Sequence, residues 1–152
     1  MRNIEKRLEK LYSFLEDAHK VNTSVSSVNV GWHIEHSLLV IIKMISALTA
    51  SDPAQYKWKF NLARAIVFTI NKFPRGKGKA PDAVNPKQTE KTDFDALFAK
   101  TREKIEEFKK ASPNNYYEHN IFGVLNKKNT FIMMDIHTNH HFKIIKDIIS
   151  SD

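Results

Sequence analysis

Between residues 30 and 48, six apolar residues recur at spacings of three and four: Val30, Ile34, Leu38, Ile41, Ile45 and Leu48. At about 3.6 residues per turn this spacing gathers them on one side of an α-helix, whereas a strand would scatter them over both faces. Trp32, Leu39 and Val40 fall off the stripe. A helix that is apolar on most sides belongs in the middle of a fold. Ser26 or Ser27 is its expected start and Thr49 its approximate end. One-sided stripes flank it. Ile4, Leu8, Leu11, Tyr12 and Leu15 predict a first helix, capped by Asn3 and running to about residue 18. "SDP" at 51–53 reads as a third helix start, with Asp52 as cap and Pro53 at the first position, continuing through "RAIVFTINKF". Phe94, Leu97, Phe98, Ile105 and Phe108 mark the inner side of a helix over "TDFDALFAKTREKIEEFKKA". A final helix is expected from about Lys127 to Ile149.

Two stretches lack such periodicity. "FPRGKGKAPDAVNPKQ" holds Pro74, Gly76, Gly78, Pro81 and Pro86, and "SPNNYYEHNIFGVLN" is rich in aromatics. Both read as long loops. The chain has 152 residues with 41% hydrophobic content, which suits one domain over 1–152 with a real core. Four glycines and five prolines are too few for a many-turned β fold. The expected class is all-α, an up-and-down four-helix bundle with two long loops.

With no cysteine in the chain, disulfides, thiolate metal sites and cysteine nucleophiles are excluded. The opening segment "MRNIEKRLEKLYSFLED" is charged and amphipathic, unlike a signal peptide, and no apolar run approaches the ~18 residues of a membrane span. The expectation is a cytoplasmic protein with no membrane partner. The net charge of +7 raises nucleic-acid binding, but the lysines are interleaved with Glu and Asp rather than gathered in an acid-free patch. Nucleic acid is therefore not the expected partner.

The histidines carry the chemistry. Three of the seven lie in "DIHTNHHFKIIKDI", residues 135–148. On a helix, Met134, His137, His141, Ile144, Ile145 and Ile148 share one face, while Asp135, Asn139, Lys143 and Lys146 share the other. His137 and His141, four apart, are neighbours on the inner face and can converge on one ion. His140 lies at the edge of that face as an alternate. The competing reading is a pair of buried imidazoles bonded to backbone or water. Each unpartnered buried nitrogen costs about 1–3 kcal/mol, and one metal ion would satisfy a nitrogen on both rings. A third ligand must come from another element, and "GWHIEHSLLV" offers two. His33 lies nearer the apolar stripe by phase and is favoured; His36, on the side of Lys43, is the alternate. Three neutral histidines leave a coordination position open, the pattern of a reactive site. There is no "HExxH" motif, and Glu35 points away from the core by phase. His19 reads as a surface or capping residue.

Four stretches resemble the DinB-like superfamily of metal-binding helical bundles, and more closely its branch known as DUF1569. "SVNVGWHIEHSL" is similar to the family's second-helix segment, on whose spacing His33 matches the metal ligand. "FPRGKGKAPDAVNP" is similar to the branch's basic Gly/Pro-rich loop. "HNIFGVL" resembles a His-Pro-x-Phe-Gly-x-Leu turn, with Asn120 in place of the proline. "HTNHHFKII" resembles the closing His-x-x-His-His helix, whose first and last histidines match His137 and His141. Ile144 stands where Gln is common, and the Trp usual before the second-helix cap is missing. The resemblance implies a four-helix bundle, often a homodimer, with a three-His site for a divalent ion such as zinc or nickel. It implies by analogy a metal-dependent enzyme of transferase or hydrolase type, with a small thiol as a further cofactor.

Arg75 and Lys77, in the basic loop, are candidates to bring an anionic small-molecule substrate to the bundle mouth, with His119 and Phe122 as the opposite wall. "RGKGK" lacks the frame of a phosphate-binding P-loop, so solvated lysines are the competing reading. The alternative function is a non-catalytic binding or stress-response module built on the same bundle without a functional metal. A third reading is an anion or nucleic-acid binder acting through its positive charge.

Overall fold

The computed structural model describes residues 2–73, 82–87 and 92–150. Among them are five α-helices and one antiparallel hairpin. The helices are α1 (Arg2–Tyr12), α2 (Val30–Thr49), α3 (Leu62–Ile70), α4 (Phe94–Lys110) and α5 (Lys127–Ile149). The strands are β1 (Tyr116–His119) and β2 (Gly123–Asn126), in register Tyr116 to Asn126 through His119 to Gly123. The all-α reading is corrected by that hairpin, and the four-helix up-and-down bundle reduces to a mostly helical fold.

The starts of α2 to α5 follow one local rule. Asn29, Asn61, Asp93 and Asn126 sit in extended backbone, and each side chain accepts from an amide three residues on. That bond satisfies one of the amides a helix leaves orphaned at its start. Asn29 displaces the expected start at Ser26 or Ser27. Helix α1 stops at Tyr12 rather than near residue 18, and Leu15–Asp17 form a separate 3-10 turn. The third helix is the largest departure. Asp52 caps its own turn as expected, accepting from the Ala54 amide, but the turn ends at Gln55. The chain then runs extended until Asn61 starts α3.

Helix α2 is the centre, packed by α1's following 3-10 turn, by α4, by α5, by β1 and by the short turn Asp82–Val84. All six residues of its stripe are 0% exposed. Each contributes about 1.5–3 kcal/mol relative to exposure. Helix α1 joins α5 through Ile4, Leu8 and Leu11, all buried, and through Arg7. The Arg7 guanidinium donates to both Asp135 oxygens at 2.9 and 3.2 Å and to Asn139 Oδ1 at 3.0 Å. The polar face of α5 is thus clamped by α1.

The aromatic stretch 112–126, read as a loop, forms the hairpin. Its return at Gly123 has φ +63°, a backbone that favours glycine, and a Cβ there would meet the Asn61 side chain at 3.4 Å. Arg64 of α3, buried, ties the hairpin down by donating to the carbonyls of Phe122 (3.2 Å), Val124 (2.6 Å) and Lys59. Asn61 adds a bond to the Ile121 carbonyl. On the other side of α3, Leu62, Ile66 and Ile70 are 64%, 50% and 54% exposed, an apolar stripe at intervals of four. No helix among the described residues is long and apolar enough to cross a membrane.

Candidate metal centre

Where α2 packs on α5, four imidazoles meet. One ring nitrogen from each of His36, His137 and His141 lies within 4.8 Å of the other two. Tetrahedral zinc, with bonds of about 2.0–2.1 Å, sets ligand nitrogens about 3.3–3.4 Å apart. The three rings therefore need to close by an ångström or so around an ion, a movement within reach of side-chain rotation.

Favoured as the third ligand from sequence, His33 sits one step back. Its Nδ1 is 2.9 Å from His141 Nδ1, and its Nε2 is 3.0 Å from Ser26 Oγ. His36, assigned by phase to the outer side, is 4% exposed, the same as His33. Helical phase does not separate the two, because α2 is covered on the His36 side as well. The turn Asp82–Val84 packs there, and the Val84 carbonyl bonds His36 Nδ1 at 2.6 Å. A carbonyl only accepts, so His36 Nδ1 carries the proton and Nε2 presents its lone pair. Metal-ligating histidines commonly have that backbone partner. Trp32 stacks on the His36 ring at 4.8 Å and 11°.

His137 differs from the other three. Its Nδ1 is buried and has no hydrogen-bond partner. Two other buried polar atoms among the described residues share that condition, Tyr117 OH and Thr138 Oγ1, but neither belongs to the cluster. The His137 ring is 4.7 Å from that of His141 and 5.1 Å from that of His36. His140, the alternate at the edge of the face, is half-buried and packs edge-on against His141 at 5.1 Å without joining the three converging nitrogens.

Burial depresses the basicity of the whole cluster. It pushes His137 down to about 3 and His33 to about 4, in each case helped by repulsion from neighbouring imidazoles. His141 falls well below the usual histidine value for the same reasons. His36 is lowered by burial, partly offset by the Val84 carbonyl. At neutral pH all four are uncharged, the state a metal ligand requires.

His119 accepts from the amides of Ile121 (3.1 Å) and Phe122 (3.4 Å), so it braces the hairpin return, while His19 is exposed. Phe122 is buried, and its ring packs on Phe73 at 5.8 Å. Phe73 in turn lies edge-on to His137 at 6.1 Å. Arg75 and Lys77 fall outside the described residues. A cavity of about 220 Å³ is lined by Asn71, Lys72, Phe73, Ile136, Asn139, His140 and Lys143, so His140 reaches it but none of the three converging rings does. Its cations, Lys72 and Lys143, were not singled out from sequence. A larger groove of about 470 Å³, lined by residues including Tyr12, Thr92 and Phe94, has no histidine in its wall. No family model, curated protein or solved structure matches the chain.

Proposed function

We propose that the chain is a divalent-metal protein of DinB-like type, a metal-dependent enzyme whose ion is held by His36, His137 and His141. The convergence of those three ring nitrogens within 4.8 Å carries the reading. The unpartnered Nδ1 of His137 and the Val84 carbonyl behind His36 support it. Zinc or nickel suits an all-imidazole set. When bound, such an ion polarises a substrate oxygen or acidifies a nucleophile, a small thiol included by analogy with the superfamily. The chain's own residues supply the surroundings. Trp32, stacked on His36, and Phe73, edge-on to His137, pack apolar surface against the rings. Lys72 and Lys143, on the wall of the cavity that His140 lines, favour an anionic small molecule. The stripe Leu62, Ile66 and Ile70 supports pairing with a second copy, since large exposed apolar faces mark interaction surfaces.

The test is metal analysis of protein purified without a histidine tag, followed by zinc and nickel titration. One ion per chain is expected, lost in His36→Ala and in His137→Ala. Full metal content in both variants would refute the assignment. The second reading, a non-catalytic module, is favoured by one observation: His33, His36 and His141 already have protein partners. It predicts no stoichiometric metal in the native protein.

A further inference from the structure

Behind the three converging nitrogens runs a short hydrogen-bonded line: Ser26 Oγ, then His33 Nε2 at 3.0 Å, then His33 Nδ1 to His141 Nδ1 at 2.9 Å. His33 is 4% exposed and His141 7%, so water does not compete freely for these nitrogens. Two nitrogens this close share one proton, and each neutral imidazole carries only one. The line therefore has two proton arrangements. In one, Ser26 donates to His33, His33 donates to His141, and the His141 proton deficit falls on Nδ1. The remaining His141 proton then sits on Nε2, where it blocks coordination. In the other, His141 Nδ1–H donates to His33 Nδ1, His33 Nε2–H donates to Ser26 Oγ, and His141 Nε2 presents a lone pair. Ser26 Oγ also accepts from the Val28 amide at 3.3 Å, so it already acts as an acceptor here.

We infer that His33 is a positioning residue: its Nδ1 accepts a hydrogen bond from His141 Nδ1–H and thereby aims the His141 Nε2 lone pair at an ion shared with His36 and His137. The inference rests on the proposed metal reading. It gives the same role to a side chain on α2 that the Val84 carbonyl plays for His36. Orienting partners of this kind, when removed, commonly cost 10–100-fold in metal affinity.

The experiment compares the wild-type chain with His33→Leu and His33→Asn. Asparagine returns an acceptor oxygen near the place of the imidazole Nδ1; leucine does not. Zinc affinity is measured by competition with a chelator, and long-range proton–nitrogen NMR of the zinc-loaded wild type reports which ring nitrogen carries each proton. Expected are Nδ1–H on His141 and Nε2–H on His33. His33→Leu should lose 10–100-fold in zinc affinity, and His33→Asn should regain most of it. Zinc on His33 Nδ1, or on His141 Nδ1, would overturn the positioning role while leaving the metal reading intact. So would wild-type affinity in a folded His33→Leu. Failure of the wild-type chain to bind zinc would instead remove the metal reading, and this inference with it.

Discussion

The orphaned Nδ1 of His137 makes replacement of that residue by leucine a sharp test. In the metal-free chain this nitrogen is buried without a partner, a condition worth about 1–3 kcal/mol of destabilisation. Leucine removes the polar atom and fills similar space, and such shape changes cost under about 1.5 kcal/mol. The metal-free His137→Leu protein should therefore be more stable than wild type, by up to about 3 kcal/mol where leucine repacks without cost. For a chain of this length, 1 kcal/mol shifts Tm by about 2–4 °C, so a rise of a few degrees is expected in a chelator. With zinc present the order should reverse. Zinc at 100 times its Kd adds about 2.7 kcal/mol to wild type, and the variant, lacking a ligand, should gain little. Thermal denaturation followed by circular dichroism, with EDTA and then with excess zinc, reads both halves. If the variant is less stable than wild type in EDTA, the ring is satisfied by the protein itself and the argument from its orphaned atom is wrong. If the variant gains as much from zinc as wild type does, His137 is no ligand.

Acid should destabilise the metal-free fold through the same cluster. The folded-state values are depressed, to about 4 for His33 and about 3 for His137, against about 6.5 in the unfolded chain. The unfolded state thus binds more protons below pH 6.5, so stability is fully present above that pH and falls as pH drops from 6.5 toward 4. Urea titrations at pH 7.5, 6 and 5 should give a steadily falling midpoint; a flat profile would refute the burial of the rings. Arg64→Met should cost about 2–4 kcal/mol, because the carbonyls of Phe122, Val124 and Lys59 lose a buried charged donor, and amide exchange should rise first in the hairpin. Gly123→Ala should cost about 1–2 kcal/mol from its left-handed backbone, read as a lower urea midpoint. If the exposed face of α3 pairs two copies, wild type should sediment as a dimer and Ile66→Asp as a monomer; a monomeric wild type, or an unchanged sedimentation coefficient in the variant, would count against pairing through that stripe.

The ends of α5 and α4 were legible because their signals are local: Asn126 and Asp93 cap the helices immediately after them, and their stripes are strict. The same was true of the pair His137 and His141, whose spacing alone sets them side by side on one helix. Tertiary packing decided what local signals could not. The hairpin at 116–126 depends on Arg64 and Asn61, more than fifty residues away, and nothing in its own spacing demands it. His36 joined the cluster because the turn Asp82–Val84 covers that side of α2 and offers a carbonyl. Helical phase divides a surface helix into inside and outside, but a central helix is covered on several sides, and then only the positions of its neighbours say which imidazole reaches which.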